Sequence, residues 1–200
     1  MKRLFTGIQF LALAMLISLP AVVRAEDEKP DIDVETDAGE DGYSQESVLT
    51  EATNFFGEGA ENVADVIADV FEDLGRPNAY IKGNEASGAF IVGARYGDGQ
   101  LFMKSGGGSK LHWTGPSIGF DAGGNVSKVF VLIYQLPSVQ AIFKRFPAVD
   151  GSFYLVGGVS ANYHQGDGIV LVPIRLGAGL RSGVNIGYMH YTLEKTWNPF

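Results

Sequence analysis

The sequence predicts a mainly β protein: a small antiparallel β-barrel of about nine strands, preceded by an amphipathic helical segment and interrupted by one short helix. Three observations predict it. From residue 79 onward, short runs rich in Val, Ile, Phe and Tyr alternate with glycine-containing turns. Glycine accounts for 27 of 200 residues without any Gly-X-Y period. Many of these glycines lie inside apolar β-branched runs, where they permit the bending that closes a sheet. The run VFVLIY at 129–134 is apolar throughout and reads as a strand buried on both faces.

Residues 1–25 read as a secretory signal. Lys2 and Arg3 form a positive n-region, Leu4 to Leu19 is apolar, Pro20 breaks the helix, and Val23-Arg24-Ala25 places small residues at the cleavage positions. An uncleaved anchor is the alternative; the n-region and the triplet favour cleavage after Ala25. Residues 26–43 hold nine acids and almost no bulky apolar side chain. Such a leader buries too little surface to offset its ordering entropy and is expected to be disordered.

The helical segment spans 44–76. Ser44 caps a first helix that carries Val48, Ala52, Phe55 and Phe56 on one face, and Gly57 and Gly59 break it. A second helix follows. Its Val63, Ile67, Val70, Phe71 and Leu74 recur at three- and four-residue spacing, with acids mostly off that stripe, until Gly75 and Pro77 stop it. This stripe is the candidate interaction face, expected to dock on the β-body.

The body, 77–200, offers strands at 79–82, 88–96, 100–104, 109–113, 117–121, 127–135, 152–164, 168–176 and 183–192. Turns fall at Gly97-Asp98-Gly99, Gly106-Gly107-Gly108, Gly123-Gly124-Asn125 and Gly166-Asp167-Gly168. Gly93, Gly157, Gly158, Gly177 and Gly179 are expected to bend strands. Between Pro137 and Phe146, the spacing of Val139, Ile142, Phe143 and Phe146 predicts the short helix.

The formal net charge of −8 conceals an asymmetry. Residues 26–74 hold 17 acids and one base, whereas residues 75–200 hold 11 bases and six acids. Single bases scattered over the body do not form a nucleic-acid footprint, so no nucleic-acid partner is expected. The absence of cysteine excludes disulfides, Cys-ligated zinc and thiol catalysis.

Chemistry-bearing motifs are sparse. Gly115-Pro116-Ser117-Ile118-Gly119 matches G-x-S-x-G, yet a strand rather than a helix follows it, so Ser117 reads as structural. His112, His164 and His190 form no metal-ligand spacing. Gly106-Gly107-Gly108-Ser109-Lys110 lacks the spacing and the helix of a phosphate loop. No catalytic residue, metal site or cofactor is expected. Among many aromatics, Trp113 and Tyr163 are the candidate ligand-lining residues. The terminal Phe200 raises an outer-membrane barrel. Counting back by twos meets Asn198, Thr196, Glu194 and Thr192, and Pro199 opposes pairing. The body is therefore read as not being an integral outer-membrane barrel.

The segments GRPNAYIKGNEASGAF (75–90), VGARYGDGQLFMK (92–104), WTGPSIGFDAGGN (113–125), VFVLIYQLP (129–137), KRFPAVDGSFYLVGG (144–158) and TWNPF (196–200) resemble the EipA family of periplasmic envelope-integrity proteins. The resemblance runs from about Phe55 to Phe200. It implies a soluble small β-barrel in the periplasm that supports envelope integrity, with no established catalytic activity and no catalytic residues to carry over. A fainter similarity to SYLF lipid-binding domains rests on the glycine-rich strand 88–99 and on VFVLIY followed by a short helix. The sequence thus favours a non-enzymatic envelope protein. A module binding lipid or another apolar envelope component is one rival, and a serine hydrolase using Ser117 is another.

Overall fold

A computed structural model describes residues 42–57, 60–176 and 187–198. Two helices, α1 (Gln45–Phe56) and α2 (Glu61–Leu74), precede six strands: β1 (Ala79–Met103), β2 (Gly108–Tyr134), β3 (Arg145–Val156), β4 (Val159–Gly166), β5 (Ile169–Leu176) and β6 (Tyr188–Thr192). The expected signal and nearly all of the acidic leader lie outside the described residues, as do Gly177, Gly179 and Phe200.

Length alone dictates how β1 and β2 behave. A straight strand of 25 residues would reach roughly 80 Å at the usual rise, far beyond a domain of this size. Both strands therefore curl. They pair with each other from Ala79↔Ile133 to Phe102↔Gly108, with a register shift between Ser87 and Ala89. β1 also returns to its own beginning: the Lys104 amide donates to the Asn78 carbonyl at 2.9 Å. The sheet runs β1-β2-β5-β4-β3-β6, and β6 pairs back onto β2. One half of β2 (128–134) holds β5 while the other (112–114) holds β6, which closes the wall. With β1 and β2 each contributing two wall segments, the barrel has eight antiparallel strands, close to the nine expected.

The alternation along the wall segregates two cores. Ile81, Leu101, Leu111, Trp113, Val129, Val131, Ile133, Leu171, Met189 and Tyr191 fill the interior. Tyr80, Phe130, Leu132, Tyr134, Ala161, Tyr163, Val170, Val172 and Ile174 face outward and are covered by the helices. The wall formed by β2, β5 and β4 is thus buried on both sides, which is why VFVLIY is apolar without alternation.

Ser44 caps α1, its Oγ accepting from the Ser47 amide. At the other end Lys128 donates to the Phe55 and Phe56 carbonyls, satisfying acceptors that a helix terminus leaves open. Lys82 pairs with Glu51 at 2.8 Å. Val63, Ile67, Val70 and Leu74 are buried against the barrel, and Phe71 packs beside them. The candidate interaction face is occupied by the protein's own wall.

Several local expectations differ from the structure. The stretch 137–146 forms only a short 3-10 turn, Val139–Ile142, before β3 begins. Ile142 and Phe146 are drawn into the barrel interior instead of forming a helical stripe. The glycine pairs also exchange roles. Gly97 and Gly99 lie within β1 rather than in a turn. The expected single strand 152–164 is a hairpin, turning at Gly157 and Gly158 with φ of 52 and 83. Positive φ at both central residues is the requirement of a two-residue type I′ loop. The expected turn at 123–125 coincides with the register shift, where β2 carries extra residues opposite Ser87 and Ala89.

Burial should govern the docking of α2. Ile67 is fully buried and Asp65 and Asp69 are exposed. Ile67→Asp is expected to destabilise the protein by about 3–5 kcal/mol, through lost burial and an unpaired buried charge. Asp65→Lys or Asp69→Lys should change stability by less than about 1 kcal/mol. Urea unfolding of the three variants checks this ordering.

Candidate functional site

The interior is not uniformly apolar. On the inward parity of β1, past Ile81, come Gly83 and Glu85, and on the return of the same strand Arg95. On β5 the inward parity ends at Arg175. On β4 it carries Ser160, Asn162 and His164. All of these polar side chains are buried.

The Glu85 carboxylate is the hub. Arg175 donates to it through Nε at 2.9 Å and through Nη2 at 3.2 Å. The Trp113 indole Nε1–H donates at 2.8 Å. Arg95 Nη1 stands 3.6 Å away, an ion pair at longer range. Burial alone would raise the Glu85 pKa. The charges of Arg175 and Arg95, with the Arg175 and Trp113 hydrogen bonds, outweigh burial and bring it down to about 2. Burial presses Arg95 down to about 10, against the pull of Glu85 and with a further push from Arg175, so it stays charged at neutral pH.

The network extends from Arg175 into β4. Its Nη1 donates to Asn162 Oδ1 at 3.0 Å, and the Asn162 amide nitrogen lies 2.6 Å from His164 Nε2. His164 Nδ1 lies 3.1 Å from the Phe146 carbonyl. This fixes the tautomer: Nδ1 carries the proton and donates to Phe146, and Nε2 accepts from Asn162. Burial, then the Arg175 charge, lowers the His164 pKa to about 3, so the ring is neutral at neutral pH.

Trp113 reaches Glu85 because two glycines leave it room. A Cβ on Gly97 would collide with the indole ring of Trp113, and a Cβ on Gly83 would lie 2.7 Å from its Cη2 atom. These glycines are required by close approach within the wall, not by a turn.

The structure places the sequence-predicted residues on different faces. Trp113 points into the interior, whereas Tyr163 faces outward under α2 and donates to Asp73 Oδ2 at 3.1 Å. They do not line a common space. Ser117 lies within β2, paired opposite Gly93, with strand continuing on both sides and no helix after it. His164 belongs to the interior, while His112 and His190 take the opposite parity on β2 and β6, so the three do not converge. Among the described residues no group of three or more His, Asp or Glu side chains could hold a metal ion. No helix among them is long and apolar enough to cross a membrane.

A family model for Envelope integrity protein A matches residues 41–200. The chain belongs to the EipA family. Its barrel is similar to a crystal structure of a beta-barrel-like, uncharacterized protein from Brucella abortus, with 44% identity and a TM-score of 0.72. The match covers 80% of this chain and 99% of that one. No curated protein matches. EipA membership gives the chain an envelope-related role.

Glu85, Arg95, Asn162 and Arg175 were not singled out by sequence reasoning. The signal was present in IVLVPIRL, where one arginine ends an otherwise apolar strand, and in the equal parity of Ile81 and Glu85 along β1.

The network makes the fold acid-labile in two steps. Between pH 6.5 and about 3 the unfolded chain protonates His164 and the folded one does not; between pH 4.5 and about 2 the same holds for Glu85. Stability is therefore full near neutrality and falls as pH drops, by on the order of 3 kcal/mol or more for each group. His164→Gln should flatten the loss between pH 7 and 5 and leave the steeper loss below pH 4.5, as read from melting temperature against pH. Gly97→Ala should displace Trp113 and break its bond to Glu85. It is expected to cost about 2–4 kcal/mol and to shift the Trp113 fluorescence to longer wavelength.

Proposed function

We propose that this EipA-family protein acts in the periplasm, after export and cleavage following Ala25, as a non-enzymatic component that supports cell-envelope integrity. The observation that carries this reading is the family match across the whole described fold. The architecture is consistent with it. The helices cover the outer wall, and the Trp113 indole lies inside the barrel. Ser117 sits in mid-strand, without the strand–turn–helix that exposes a hydrolase nucleophile. The n-region, apolar stretch and V-R-A triplet support export.

Fractionation and N-terminal sequencing test the location. The expected product begins at Glu26 in the periplasmic fraction; recovery with Met1 retained in the inner membrane overturns export. Complementation of a deletion strain tests the mechanism. Ser117→Ala is expected to restore resistance to envelope stress to near wild-type level, and loss of function at unchanged stability would favour the hydrolase. Lipid recovered in stoichiometric amount from the protein purified out of native periplasm would favour the lipid-binding rival.

A further inference from the structure

Among the described residues, the interior network holds one carboxylate, Glu85, against two guanidinium groups, Arg95 and Arg175, with His164 neutral. It therefore carries one positive charge in excess. Each of the three nitrogens of Arg175 donates, to Glu85 or to Asn162. Arg95 is not. Its Nε has no hydrogen-bond partner although the residue is only 6% exposed. The hydroxyl of Tyr191, 1% exposed, is also unpartnered. The two side chains flank the same stretch of β2, since Arg95 pairs with Gly115 and Tyr191 with Trp113. Both point inward, and they are near enough for each to influence the other's ionisation.

Buried donors without acceptors are costly, and a buried cation without a counter-charge more so. A water molecule could accept from both donors but would leave the charge uncompensated. A group bearing one negative charge and two acceptor oxygens meets both needs, and a guanidinium edge matches the two oxygens of a carboxylate. We propose that the barrel interior binds a carboxylate group between Arg95 and Tyr191. This site is additional to the envelope role and does not depend on it.

The test compares melting of the purified protein in sodium acetate and sodium chloride at pH 7 and equal ionic strength. Acetate is expected to raise the midpoint saturably, by about 5–10 °C at a hundredfold excess over its dissociation constant. Tyr191→Phe should fold, melt in chloride like the parent, and bind acetate about tenfold more weakly. Arg95→Met should abolish the response, read as equal midpoints of that variant in the two salts whatever its own stability in chloride. If Arg95→Met fails to fold, Tyr191→Phe decides. Equal melting in the two salts overturns the proposal, as does an acetate response that survives in the variants. Sodium laurate distinguishes the source. Saturation at lower concentration than acetate identifies the carboxylate of an acyl chain, and no response to laurate beside a response to acetate identifies a small free carboxylate.

Discussion

A carboxylate buried as deeply as that of Glu85 must be met by positive charge, and the groups that meet it come from separate parts of the wall: Arg95 from the return of β1 and Arg175 from β5. Trp113 on β2 adds a hydrogen bond. The interaction is therefore a statement about register. Slipping β5 by one residue would send Arg175 to the outer face and an apolar neighbour inward. Removing one partner from a buried ion pair typically costs about 3–5 kcal/mol, which is comparable with the whole margin of a marginally stable domain. Register-fixing of this kind matters most in a barrel whose strands are largely apolar on both faces, because hydrophobic pattern alone discriminates poorly between neighbouring alignments there.

That two-sided burial also explains the helices. A closed barrel with Tyr80, Phe130, Leu132, Val170, Val172 and Ile174 on its exterior would expose a broad apolar patch. α1 and α2 cover it, and the acidic character of the segment falls on their solvent side. The direct ionic contacts, Lys82 with Glu51 and Lys128 with the end of α1, fasten the edges of a contact whose strength comes from buried side chains. The charge asymmetry of the sequence thus reflects orientation and solubility more than attraction.

What was legible in the sequence follows the strength of each physical signal. The two helices were readable nearly to the residue, because the Ser44 cap, the Gly57 and Gly75 stops and an uninterrupted 3.6-residue stripe agree. The barrel was readable as a class from glycine placement and β-branched runs. Individual strand limits were not, since glycine serves both turns and close approaches: Gly157 and Gly158 turn the chain, while Gly97 makes room for an indole that only the folded structure brings near. The interior network left only a faint trace in the sequence for a related reason. Glu85 and Arg175 are ninety positions apart, and each by itself resembles a solvent-facing charge at the end of a strand.

The manner of closure has a kinetic corollary. The β1–β2 hairpin joins neighbours in the chain, but the seam between β2 and β6 unites His112 with Thr192 and Thr114 with His190. Loop entropy makes such a distant pairing a late event. Until β6 arrives, β2 and β3 each keep an open edge, and the inner core lacks Met189 and Tyr191. The chain thus stays incomplete through most of its synthesis and closes its wall only when β6 is in hand.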